Sequence, residues 1–351
     1  MSLKVGIVGA GHIAECRHIP VFKNHPETEL VGIFDEDSGV TDSVAARYSI
    51  RGYDELSNLI EAADLISICT PPSAHASVTI KALDAGCHVL TEKPMAMSTA
   101  QADEMIQAAE ENSCTLSVVH NMQFMDSMEA AREAIAEFGE VNSIRTFLIK
   151  RSSMSKEYLE DASPQRWASE RFWDESPHMT YLIEGILGDI KLDDTTLTEN
   201  DGSYSSIKSR FLDKNGREAT MSINWDSPIS EWWFVVFCDG GVVLVDLYRD
   251  MMLKFGKERE HGALSVISTL TSGIWQLSKG GFLSGIDYVK DVQIDGLGIP
   301  DSGFSKQVDM LIYAIQNGTE PPVPGTEGQR ILQHMEDIAY DTNLAAHLQH
   351  L

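Results

Sequence analysis

Lys4-Val5-Gly6-Ile7-Val8-Gly9-Ala10-Gly11-His12-Ile13-Ala14 is the stretch whose reading decides the fold. Lys4 to Val8 has the apolar character of a buried strand, and a helical pattern runs from the end of the stretch to about Asn24. Between them lies a G-x-G-x-x-A turn. Gly9 permits the tight turn, Gly11 lets backbone approach a pyrophosphate, and Ala14 is small enough for close helix packing. Phosphate oxygens then meet the amides of His12, Ile13 and the helix start, where the peptide dipoles favour negative charge.

Outward from this turn the pattern repeats. The second strand, Glu29 to Phe34, ends at Asp35, 26 positions after Gly9. A carboxylate there binds the ribose hydroxyls of an adenosine and repels a 2′-phosphate, so NAD is preferred and NADP is less favoured. A helix near Tyr53–Ala62 leads to the strand Leu65–Cys69, which stops at Thr70-Pro71-Pro72. The helix Ala74–Ala85 stops at Gly86, and Cys87–Thr91 reads as a strand ending in Glu92-Lys93-Pro94. Ser98 caps a helix from Thr99 to Asn112, and Thr115–Val119 is the next strand. Strands alternating with helices imply a parallel sheet, so the fold class is α/β with an N-terminal Rossmann domain over residues 1–121. Thr70, Pro71, His75, Glu92, Lys93 and Asn121 fall at or beyond carboxyl ends of strands, where such sheets bind ligands. With Gly9, Gly11, His12, Ile13 and Asp35 they form the expected cofactor-binding set.

Composition bounds the partners. In 351 residues there are 27 basic and 53 acidic side chains, net −26, which argues against nucleic acid because phosphate contacts need basic stripes. That charge suits an acidic cytosolic enzyme, or a salt-rich cytoplasm in which self-repulsion is screened. No apolar run approaches a membrane span and no signal peptide precedes the first strand, so a cytoplasmic protein without membrane partners is expected. Five scattered cysteines without Cys-x-x-Cys, and eleven histidines without metal spacing, give no case for a disulfide frame or a metal.

Four segments together resemble one known family: Gly9 to Ala14, Thr70-Pro71-Pro72-Ser73-Ala74-His75, Ala85 to Pro94, and His120-Asn121. They are similar to the Gfo/Idh/MocA oxidoreductases. The likeness continues more loosely in Asp174-Glu175-Ser176-Pro177-His178 and in Phe304–Gly318 with Gly325–Gly328. The resemblance implies a second α/β domain, residues 122–351, built on an open, largely antiparallel sheet that binds substrate and joins subunits into a homodimer or homotetramer. It allows the C-terminal helices to pack back on the first domain. It also implies a catalytic lysine at Lys93 and an acid–histidine pair at Asp174 and His178. Arg171-Phe172-Trp173 and Ser176 depart from the family's glycines, Tyr181 stands where many members carry another aspartate, and Met122 stands where an arginine is frequent.

Strands are read at Val141–Lys150, Ser206–Leu212, Arg217–Trp225, Trp232–Phe237 and Val242–Leu247, with a hinge near Asn121–Asp126. Ser176 reads as an N-cap and Pro177 as a first helical residue, which would put His178 in a first turn that favours neutral imidazole. Asp174 could orient the ring. Lys150, Arg151, Arg166 and Arg171 are candidates for an acidic substrate group or for pairing with neighbouring acids. An apolar segment at 263–285 reads as a buried helix, an interface or a lid.

The expected activity is an NAD-dependent oxidation of a secondary alcohol on a sugar, polyol or sugar derivative. His178 would take the hydroxyl proton and Lys93 would stabilise the alkoxide. Two alternatives use the same fold: a glycosidase that oxidises its substrate transiently, and a non-catalytic NAD-dependent regulator.

Overall fold

The computed structural model describes residues 2–151, 164–200, 203–257 and 302–342, and the apolar segment at 263–285 lies outside them. The chain divides into two compact units. The first holds Met1–Asn121 and Phe304–Gln333, and the second holds the described residues between 122 and 257 and those from His334 onward.

The first unit is a five-stranded parallel sheet of β1 (Leu3–Val8), β2 (Thr28–Phe34), β3 (Leu65–Ile68), β4 (His88–Thr91) and β5 (Leu116–Val118), in the order β2-β1-β3-β4-β5. Every residue of β3 is buried, as a strand covered on both faces requires. The order reverses direction between β1 and β3, so a crevice opens at their carboxyl ends. Ser98 caps the Thr99–Glu111 helix by accepting from Gln101 N–H, and Gly86 ends the Pro72–Asp84 helix with φ of 85°. The cap and the stop both agree with the sequence reading. The helix after the first turn begins as a π-type segment, Ala14–His18, and continues as the α-helix Ile19–Asn24.

Part of this unit's core comes from the far end of the chain. Val5, Phe22, Leu65, Leu90 and Val119 pack with Phe304, Val308, Leu311 and Ile312 of the Ser302–Asn317 helix. Each such side chain contributes about 1.5–3 kcal/mol when fully buried. Val323 carbonyl accepts from Ser117 Oγ (2.8 Å) and Val118 N–H (3.1 Å), and buried Gln307 donates to Val118 O at 2.7 Å.

The second unit is a seven-stranded sheet ordered β12-β11-β10-β6-β9-β8-β7. Its strands are β6 (Val141–Arg151), β7 (Ile190–Asn200), β8 (Ser203–Asp213), β9 (Glu218–Ser227), β10 (Glu231–Cys238), β11 (Gly241–Asp246) and β12 (Met251–Gly256). Described neighbours pair antiparallel except β6 with β9, which are parallel, so the largely antiparallel expectation holds. The 3-10 turn Asn121–Phe124 and the helix Asp126–Phe138 lead into this sheet.

One expectation fails. The helix carrying His178 does not begin at Ser176 but runs unbroken from Pro164 to Leu187, with Pro177 inside it. Phe172, Trp173, Glu175 and Ser176 are all buried, and that burial carries the helix through a proline that removes one backbone N–H. Gly188, with φ of 75°, ends it as the sequence implied, its N–H donating to Glu184 O at 2.8 Å.

Candidate functional site

At the β1/β3 crevice the turn is fixed by sterics. Gly9 has φ of +94°, and a Cβ there would lie 2.6 Å from the carbonyl carbon of Cys69 and 2.8 Å from Thr70 N. Only glycine fits. A Cβ on Gly11 would meet nothing within 4 Å, so this backbone borders open space into which a ligand can come close.

That space is a cavity of about 640 Å³. Gly9, Gly11, His12, Ile13, Asp35, Thr70 and Pro71 all line it, as the sequence reading grouped them. Asp35 is held at its edge: Oδ2 accepts from Ala10 N–H at 2.8 Å and Oδ1 from Asp37 N–H at 3.0 Å. Ionised carboxylate oxygens keep further lone pairs for ligand hydroxyls. Thr70 Oγ1 is buried and without a protein hydrogen-bond partner, a polar atom that a ligand group can satisfy. Sequence reasoning missed Val40, Leu56 and Val78, which add apolar wall. They arrive from three separate helical or loop segments, and no local motif marks them.

These features fit a dinucleotide: a glycine gap for pyrophosphate, a fixed carboxylate for ribose, and apolar walls for a flat ring.

His75, Glu92, Lys93 and Asn121 do not line this cavity. His75 is 1% exposed, with Nδ1 2.8 Å from Pro94 O and Nε2 2.8 Å from Thr70 O, so it braces the ends of β3 and β4. Burial depresses its pKa, although both carbonyls favour the protonated ring. Glu92 begins the turn with the cis Lys93–Pro94 peptide, and its Oε2 accepts Lys93 N–H at 3.1 Å. The Glu92 carboxyl is held below its ordinary range: burial pushes it up, but the His18 bond and charge and the adjacent Lys93 outweigh burial. Asn121 opens the 3-10 turn.

The second unit carries the acid–histidine segment mid-helix, so the first-turn dipole argument for His178 does not apply. The continuous helix instead sets Asp174, His178 and Tyr181 at i, i+4 and i+7, along one face. His178 Nδ1 lies 2.7 Å from Tyr181 Oη, and Trp232 packs edge-on at 5.6 Å between ring centroids. Tyr181, 1% exposed, also accepts Met122 N–H at 3.3 Å. Tyr181 is therefore a partner of the histidine that the sequence flagged only as a departure. Its i+3 spacing was the available signal, but the helix had to be known first.

Of the candidate cations, Lys150 and Arg171 face Glu175 Oε1 at 3.4 and 3.7 Å, and Trp225 Nε1 donates to Glu175 Oε2 at 3.0 Å. Burial alone would lower the Lys150 ammonium, but Glu175, Tyr248 and Asp174 raise it above its ordinary range. Arg151 N–H donates to Ser230 Oγ, and the Arg166 side chain lies outside the described residues. Among the described residues there is no group of three His, Cys, Asp or Glu set to hold a metal, and no helix is long and apolar enough to cross a membrane.

Comparison with known proteins gives the same assignment from another direction. Residues 3–120 match the model of the oxidoreductase family, NAD-binding Rossmann fold (Gfo/Idh/MocA). UDP-N-acetylglucosamine 3-dehydrogenase of Acidithiobacillus ferrooxidans is 31% identical over 134 residues, 38% of this chain and 42% of that protein. D-glucoside 3-dehydrogenase of Escherichia coli is 32% identical over 136 residues, 38% of this chain and 39% of that protein. These matches span only about two-fifths of either relative. The WlbA dehydrogenase of Bordetella pertussis, solved with NADH and UDP-GlcNAcA, superposes with a TM-score of 0.76 over 97% of this chain and 96% of that one. At 19% identity this likeness speaks to the fold. Residues 3–120 are thus similar to the NAD-binding Rossmann domain of the Gfo/Idh/MocA oxidoreductases.

Proposed function

We propose that the protein is an NAD-dependent dehydrogenase acting on a secondary alcohol of a sugar, polyol or sugar derivative. The observation that carries the cofactor half of this reading is the cradle: Gly11 bordering open space, with Asp35 fixed opposite by Ala10 N–H. The acidic pair Asp35 and Glu36 in the lining favours NAD over NADP, because a 2′-phosphate there would meet like charge. The substrate half rests on the relatives, which are named as 3-dehydrogenases of sugar derivatives.

Bound NAD supplies the hydride acceptor. The chain's own groups handle the rest. Asp35 binds the ribose hydroxyls and the amides after Gly11 bind the pyrophosphate. His178 takes the hydroxyl proton as a neutral imidazole, while the Lys93 ammonium stabilises negative charge developing on the carbinol oxygen. Tyr181 Oη on Nδ1 orients the ring and leaves Nε2 to take the proton, with Asp174 one helical turn before as the acid of the pair. Asn121 positions the substrate or the nicotinamide amide. The same reading makes the protein a cytoplasmic homodimer or homotetramer joined through the second sheet.

The test is NADH formation followed at 340 nm across a panel of sugars, polyols and sugar nucleotides, for the native protein and Lys93→Met. Turnover by the native protein and a loss of about 10²-fold or more in Lys93→Met, with NAD affinity retained, are expected. Undiminished turnover in Lys93→Met would sink the lysine assignment. Product formed without net NADH would instead support the transient-oxidation glycosidase.

A further inference from the structure

The second unit carries a set of charges that the proton chemistry does not use. Lys150, near the end of β6, and Arg171, about two helical turns before His178, both face one carboxylate oxygen, Glu175 Oε1, at 3.4 and 3.7 Å. Neither approach closes into a hydrogen bond, because that oxygen is buried and without a hydrogen-bond partner. The donors of the two cations are therefore not committed to it, and both side chains reach the surface, 24% and 22% exposed. Glu175 is held instead through its other oxygen, which accepts Trp225 Nε1–H at 3.0 Å.

The balance of charge points the same way. Burial holds the Glu175 carboxyl above its ordinary range, with Lys150 opposing, and burial alone would lower Lys150, but Glu175 and Tyr248 raise it. Ionised or not, one buried acid here answers two cations. Asp174, the other acid on this helix, is exposed to screening water. The cluster thus stands out in a chain of net −26. Rings fill the interval between it and His178. Trp232 packs edge-on to His178 at 5.6 Å, Tyr248 edge-on to Trp232 at 5.9 Å, and Lys150 Nζ lies 5.9 Å from the Tyr248 centroid. Along the helix Arg171 and His178 are about 10.5 Å apart, a separation that a sugar with a hydroxyl at one end and a charged substituent at the other bridges between long side chains. A guanidinium offers paired donors to a carboxylate or phosphate, and an ammonium adds a point charge.

We propose that Lys150 and Arg171 form a subsite for a carboxylate or phosphate carried by the sugar derivative that presents its hydroxyl to His178. This rests on the dehydrogenase reading and narrows its substrate class to anionic sugars. The anion takes the donors that Glu175 leaves, and in its absence Glu175 offsets the repulsion between the two cations.

The test is calorimetric binding to the full chain with NADH present, using glucose, galactose and mannose, each against its uronate, 1-phosphate and 6-phosphate. In at least one series an anionic member should bind about tenfold or more tighter than the neutral sugar, and the uronate and phosphate arms separate the two anion sources. Arg171→Gln should weaken the anionic member about tenfold and leave the neutral sugar within about threefold. The double variant Lys150→Met/Glu175→Gln, which removes one cation together with its buried counter-charge, should do the same and decides on this readout if Arg171→Gln does not fold. Equal affinity for neutral and anionic members in every series, or an anion preference that survives in either folded variant, would overturn the proposal and leave the cations as counter-charges of Glu175 alone. The two readings fail separately. Anion-selective binding without NADH formation from NAD on the same panel removes the dehydrogenase and keeps the subsite, whereas turnover of neutral sugars with no anion preference does the reverse.

Discussion

The dinucleotide turn and the acid–histidine helix reach their working geometry by opposite routes. At the turn, backbone does the work, and sterics local to Gly9 and the β3 end leave one solution. In the helix Pro164–Leu187, side chains do the work, and their setting depends on how far the helix extends, which packing decides against the local proline signal. Local chemistry therefore suffices to read the turn and misleads about the helix.

Substitution at the two glycines should break this contrast most sharply. Gly9→Val forces a positive φ on a branched side chain and drives it into the Cys69 backbone, so a loss of more than about 3 kcal/mol is expected in denaturant titration. Gly11→Val, with open space around its Cβ, should leave stability within about 0.5 kcal/mol. It should nonetheless weaken NAD about a hundredfold in calorimetric titration, since the added methyls occupy the approach to the backbone. Equal destabilisation by both would show that the cradle is not the steric device described.

The helix answers to a different change. A proline inside a continuous helix costs up to about 3 kcal/mol, whereas one at the first helical position costs almost nothing. Pro177→Ala should therefore stabilise the protein by about 1–3 kcal/mol, offset in part by lost packing of the buried ring. A neutral or destabilising result would restore a helix start at Ser176.

Smaller effects sharpen the picture. Tyr181→Phe leaves the ring but deprives His178 Nδ1 and Met122 N–H of their shared partner, so about 1–2 kcal/mol of stability should be lost. The shallowest effect concerns Glu92. Its folded-state pKa lies below the ordinary 4.5, so the stability it contributes is fully present above that value and fades as pH falls through it toward the depressed folded value. Thermal melts from pH 6 to pH 3 should lose less per pH unit in Glu92→Gln than in the native protein.

How much could be read in advance follows the same division. The β1 turn, Asp35, the Ser98 cap and the Gly86 and Gly188 stops were legible because each rests on chemistry within a few residues. Strands β7 and β12 were not read. Both are edges of their sheet, and Ile190–Asn200 is rich in Asp and Thr with little apolar alternation to mark it. The parallel β6–β9 pairing was equally hidden, since hairpin spacing reports neighbours in sequence and β6 takes its partners from far along the chain. Tyr181 meets His178 through a contact that depends on completed packing, so its residue type alone said nothing of it.

The Ser302–Asn317 helix has a temporal consequence. Phe304, Val308, Leu311 and Ile312 complete a core whose other half is built from Val5, Leu65 and Leu90, some 200 residues and more earlier. On the ribosome the N-terminal sheet therefore waits, partly uncovered, through synthesis of most of the polypeptide before its own closing layer emerges. A nascent chain halted before residue 302 would expose apolar surface of the kind that the finished molecule hides.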